Sequence, residues 1–164
     1  MNTLLHSMVI MKTTIQLLLA CLVSQVVIAA DQFSGPVLQM RLVADASSEE
    51  SEEMVVVGTG KETLPVLKKV LIDQKDLKSV RVSKDQLGHP QIEIRFTDEG
   101  KKRFADVTRD SIGKRLAIVI GGRLYSAPKI MTEISGGRAM ISGSFSEQEA
   151  KELADRITQS LKKR

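Results

Sequence analysis

Three short apolar runs, residues 116–120, 129–134 and 138–142, are separated by the glycine pairs Gly121-Gly122 and Gly136-Gly137 and by the bend Ser126-Ala127-Pro128. Short apolar runs bounded by glycine and proline predict strands joined by turns. Upstream, Leu38, Met40 and Leu42 alternate with Gln39 and Arg41 inside residues 33–43, the period of a half-buried strand. Residues 54–57 predict a second strand pairing back on the first. Residues 66–72, set between Pro65 and Asp73, read as a short strand, although periodicity alone also allows a helix. After a helical turn or connector at residues 76–80, the runs 80–83 and 91–96 make an antiparallel hairpin across the Leu87-Gly88-His89-Pro90 turn. Ile92, Ile94 and Phe96 point to one side of it, and Gln91, Glu93 and Arg95 to the other.

Two helices complete the pattern. Thr97 is placed to cap a helix from Asp98 to about Ile112, with Asp98 and Glu99 at the positive end of the helix dipole. Phe104, Val107 and Ile112 supply its inner face, and Gly113 stands where a left-handed C-terminal cap belongs. Ser146 and Glu149 form a capping box for the last helix, and Phe145 is placed to staple to Ala150. Ala150, Leu153, Ala154, Ile157 and Leu161 then recur at helical spacing. Strand runs between isolated helices predict an α+β domain, a mostly antiparallel sheet with two main helices packed on one face. Residues 44–53 (ADASSEESEE) lack large apolar groups and read as a mobile acidic loop.

Composition changes the picture mainly at the N-terminus. Residues 1–30 carry one charged side chain, Lys12, ahead of apolar residues that end in Ala29-Ala30. That is the layout of a secretory signal peptide, with Met11 the better start and cleavage near Ala30. Gln16, Ser24 and Gln25 break the run that a retained signal-anchor would need. Cys21 lacks the polar tether that follows a lipoprotein cysteine. The expected mature unit is residues 31–164, one domain in the periplasm or secreted, without a stable membrane span. It contains no cysteine, so its core alone must hold it. Removing Lys12 from 24 basic side chains leaves 23 against 20 acidic ones, a mild excess. The basic runs 101–103, 114–115 and 162–164 have no interleaved aromatic residues, which argues against a nucleic-acid partner.

Candidate chemistry is sparse. His89 is the one histidine beyond the signal, and with no cysteine it cannot build the usual zinc sets. No G-x-S-x-G elbow occurs, and the Ser142-Gly143-Ser144 run fits the approach to a helix cap. Gly121-Gly122-Arg123 and Gly136-Gly137-Arg138 lack phosphate-loop spacing and open no helix, so they read as turns. The acidic loop lacks the ligand spacing and turn glycine of an EF-hand. No catalytic, cofactor-binding or metal-binding residue is assigned, and the expectation is a non-enzymatic protein. The alternative is a small-molecule binder or hydrolase using acidic residues and His89.

A longer pattern carries a resemblance. It comprises Phe96-Thr97-Asp98-Glu99-Gly100, Phe104, Thr108, residues 113–120 (GKRLAIVI), Ser126-Ala127-Pro128, Ile130, Ile134 and Gly136-Gly137. It continues through Ala139, Ile141, Gly143, Phe145, Glu149-Ala150, Leu153 and Ala154. This run resembles the head of the first periplasmic domain of SecD, an accessory subunit of the preprotein translocase, and residues 38–43 are similar to the strand that opens that domain. The resemblance implies a stand-alone head that contacts a protein or peptide partner in the cell envelope. SecD's membrane spans have no counterpart here, so proton-driven translocation is not carried over. Gly121-Gly122-Arg123 replaces an Asp-Gly-basic turn, and Tyr125 an aliphatic residue. Arg123, Leu124, Tyr125 and Met131 are the candidate partner contacts, against the plainer reading of Leu124 and Met131 as core and Tyr125 as an ordinary strand residue.

Overall fold

The computed structural model describes residues 36–163; the expected signal peptide and its cleavage point lie outside them. The chain runs β1 (Leu38–Leu42), β2 (Ser51–Val55), β3 (Thr63–Leu67), β4 (Ile72–Asp73), a 3-10 turn (Gln74–Asp76), β5 (Leu77–Lys84) and β6 (Pro90–Phe96). Then follow α1 (Asp98–Asp110), β7 (Leu116–Ile120), β8 (Arg123–Ser126), β9 (Arg138–Ile141) and α2 (Glu147–Lys162). The class is α+β, and the ladders are antiparallel. The strands divide into a four-stranded sheet β4-β1-β7-β8, a three-stranded sheet β5-β6-β9 and the β2–β3 hairpin.

The central strand is β7, whose five residues LAIVI are all buried. A strand buries both faces only when a core lies on each side. Leu116, Ile118 and Ile120 enter the main core with Leu38 and Met40 of β1, Ile92, Ile94 and Phe96 of β6, Phe104 of α1 and the α2 stripe. Ala117 and Val119 face a second, smaller core with Val56, Val66 and Leu124, which the β2–β3 hairpin helps to close. The Gly121-Gly122 turn between β7 and β8 has φ of +56° and +77°, and Ile120 pairs with Arg123 across it. Two left-handed central residues make a type I′ hairpin turn, which only glycine adopts without strain.

Both helix starts form as their caps dictate. Thr97 Oγ1 accepts the Gly100 N–H at 3.0 Å. Ser146 and Glu149 close a capping box, and Ala150, Leu153, Ala154 and Ile157 are buried along α2. The inner face of α1 differs from expectation at its C-terminal end. The helix stops at Asp110, and Ile112 lies 54% exposed because the chain turns away through Gly113 at φ +87°. Thr108 takes the inner position instead; its hydroxyl donates back to Phe104 O at 2.8 Å and accepts the Ile134 N–H at 2.9 Å.

Four strand assignments also change. Residues 129–134 are not a ladder strand: Gly113 N–H donates to Ile130 O and Ile130 N–H to Lys114 O, both at 2.8 Å. The turn after α1 thus satisfies that backbone. The strand in this region is β8, immediately after the glycine turn. The 66–72 run splits into β3 and β4. β3 tolerates Pro65 because its hairpin ladder does not require a donor there. Finally, β2 pairs with β3 rather than with β1, and it absorbs Ser51, Glu52 and Glu53 from the expected acidic loop.

Candidate functional site

Strand β8 departs from regular pairing at one point. Val119 faces Leu124 and Ile118 faces Ser126, so Tyr125 is an extra, bulged residue. Bulges re-aim side chains at strand edges. Here the Tyr125 ring packs against Phe145 at 6.4 Å, and the Arg123 guanidinium lies 5.9 Å from its centroid. Leu124 points the other way, is fully buried in the second core, and accepts the Val57 N–H at 2.8 Å through its carbonyl. Its side chain is therefore core and presents nothing to a partner.

Beside Tyr125 opens a groove of about 410 Å³, running between the end of β8 and the Ser142-Gly143-Ser144 segment after β9. Ile118, Tyr125, Pro128 and the half-exposed Met140 give it an apolar lining. Its rim is polar: Arg115 pairs with Glu62 at 3.0 Å and donates to Ala127 O at 2.8 Å. The Ser126 Oγ is buried there without a hydrogen-bond partner, a state that costs free energy unless something supplies the bond. An apolar floor with few polar groups on its margin suits a ligand with an apolar side and unpaired amide groups.

The sequence candidates separate around this groove. Tyr125 lines it. Arg123 lines a neighbouring hollow with Glu52, Glu53 and Gly122. Met131 is 74% exposed but lines neither. Met140, Ile118 and the Arg115–Glu62 pair are the residues that sequence reasoning passed over, since they come from three separate segments and no local pattern joins them.

His89 sits exposed in the β5–β6 turn, its Nδ1 3.2 Å from Asp85 Oδ2. The His89 backbone N–H, above all, holds the Asp85 carboxyl below its ordinary range. Asp85 also accepts the Leu87 N–H at 2.8 Å, so the pair organises a turn, and His89 lines neither hollow. Among the described residues no group of three histidine, cysteine or acidic side chains is placed to hold a metal, and no helix is long and apolar enough to cross a membrane.

Comparison with known proteins gives the family and the fold. The sequence model of the SecDF P1 head subdomain matches residues 50–160. The protein translocase subunit SecDF of Thermus thermophilus is 51% identical over 84 residues, covering 51% of this chain and 11% of the relative. The SecD subunit of Acidaminococcus fermentans is 32% identical over 127 residues, covering 73% of this chain and 30% of the relative. A solved SecDF in a super-membrane-facing form superposes with a TM-score of 0.64 at 35% identity, over 75% of this chain and 18% of that one. A SecDF membrane component described as enhancing protein export gives 0.60 at 34% identity, over 75% of this chain and 62% of that one. The chain thus spans less than a third of these curated translocase subunits.

Proposed function

The chain belongs to the SecDF P1 head family, and from that premise we propose that it is an exported, non-enzymatic module that binds extended polypeptide segments in the cell envelope. The observation that carries the reading is the groove beside the Tyr125 bulge, which pairs an apolar lining with the polar Arg115–Glu62 rim. An unfolded segment offers apolar side chains for Met140 and Tyr125, and backbone amides and carbonyls for the polar rim of Arg115 and Glu62. Binding alone is the activity proposed; it needs no histidine, metal or cofactor. The single charge in residues 1–30 and their Ala29-Ala30 end support export to the periplasm.

The test uses a permanently unfolded, carboxymethylated polypeptide and the same polypeptide in its folded, disulfide-bonded form. A photo-crosslinker at position 140 is expected to capture the unfolded form and not the folded one. Tyr125→Ala is expected to lower that capture severalfold while Met131→Ala leaves it unchanged. Equal capture of both forms, or indifference to Tyr125→Ala, overturns the reading.

A further inference from the structure

The outer face of the β5-β6-β9 sheet gathers positive charge in a way its ladder does not favour. Register puts Arg95 of β6 directly opposite Arg138 of β9. Like charges directly opposed across strands destabilise a sheet. Lys78 stands next to them as the extra residue of a bulge, because Leu77 faces Phe96 while Ser79 faces Arg95. Lys101, on the first turns of α1, lies over Gly137, where an added Cβ would meet its Cδ at 3.1 Å. These four side chains line a single cleft of about 670 Å³ together with Ser79, Phe96 and the Gly136-Gly137 turn, and no acidic residue lines it.

Among the described residues the acid that pairs with a cleft cation is Glu93, and it is shared. Arg81, directly opposite on β5, donates to Glu93 Oε2 at 2.8 Å, and Arg95 donates to Oε1 at 3.2 Å. Among the described residues Lys78, Lys101 and Arg138 have no ion-pair partner. Four elements thus converge cations on one cleft against one shared carboxylate. Local pairing rules are broken in real proteins chiefly at functional sites, and here one carboxylate offsets only part of the charge.

The strand beside the cleft decides which partner. β9 is the edge of its sheet. Arg138 and Met140 lie on the same face of it, two residues apart, with Arg138 in the basic cleft and Met140 in the groove beside Tyr125. The two hollows therefore adjoin one exposed strand edge. A small anion would use the cleft alone, whereas an extended polypeptide along β9 would use both.

We propose that the cleft of Lys78, Arg95, Lys101 and Arg138 is a subsite for acidic side chains, so that this head prefers extended segments carrying aspartate or glutamate next to an apolar stretch. The proposal rests on the polypeptide-binding reading above and adds the chemistry of the segment. Carboxylates seated between arginines and lysines form charge-assisted hydrogen bonds and relieve the Arg95–Arg138 opposition.

The test measures fluorescence anisotropy of the full chain with three 12-residue peptides. They share an apolar half and differ in the other half: aspartate and glutamate, their amide counterparts, or lysine. The acidic peptide is expected to bind about tenfold more tightly than the amide peptide, and its advantage to shrink as salt rises. Lys101→Glu and Arg138→Glu, checked for an unchanged unfolding midpoint, are expected to erase that advantage and leave the amide peptide's affinity alone. Equal affinity for acidic and amide peptides, or an advantage that survives both reversals, overturns the subsite. So does protection of Lys101 from acylation by inorganic phosphate or anionic vesicles but not by the acidic peptide. Amide binding without an acidic preference sinks the subsite and keeps the groove; acidic binding without amide binding does the reverse. If neither peptide binds, both readings fall.

Discussion

At Gly100 two residue-scale rules oppose each other. Alanine is favoured over glycine in a helix by about 1 kcal/mol, so Gly100→Ala in the first turn of α1 should stabilise the protein by propensity alone. Packing reverses the sign. A Cβ built at Gly100 would fall 2.1 Å from the backbone oxygen of Asp76 and 2.8 Å from its Cβ. Backbone cannot rotate aside, and Asp76 is itself held by Arg103 at 2.8 Å and by the Asp73 N–H at 3.1 Å. Gly100→Ala is therefore expected to destabilise by about 1–3 kcal/mol, the range for overpacking. Denaturant unfolding decides it, and a gain in stability contradicts the packing account. The glycine is visible in the sequence; its neighbour Asp76, 24 positions earlier, is not. Leu124 shows the same limit. It stands between exposed Arg123 and half-buried Tyr125, and only the second core explains why its side chain turns inward.

Among elements, α2 was the most legible, because cap, staple and apolar stripe are all local to its sequence. Its capping box also makes stability depend on pH. The Ser146 backbone N–H, first, and the Ser146 hydroxyl, second, hold the Glu149 carboxyl below its ordinary value of 4.5. A carboxylate whose folded pKa is lowered contributes stability that is fully present above 4.5 and lost as pH falls through the lower folded value. Glu149→Gln is accordingly expected to be less stable than the parent at pH 7. Urea midpoints followed toward acid should then show the two proteins converge; a gap that stays constant with pH counts against the box as its source. Strand β6 was less legible. Its alternation correctly sends Ile92, Ile94 and Phe96 inward, yet Glu93 on the opposite face is only 3% exposed because Arg81 and Arg95 close over it. Residues 129–134 carry a strand-like composition but satisfy their backbone on the α1 turn, a choice made by the tertiary position of Gly113 and Thr108.

For the whole molecule, the expected signal yields a direct prediction. Expression in a Gram-negative host should deliver the protein to the periplasm with a mass that begins at Asp31, read by mass spectrometry; a retained N-terminus in the membrane fraction overturns cleavage near Ala30. The α+β class, both helix starts, the β5–β6 hairpin and the glycine turn of β7–β8 followed from the sequence, since periodicity, caps and positive-φ glycines act over a few residues. Partition into three sheets, the two-faced burial of β7, and the meeting of Lys78, Arg95, Lys101 and Arg138 did not. Those depend on which distant strands pair and where a bulge falls. Pairing free energy is set by the cores that result, so only the tertiary structure decides which side chains converge on a site.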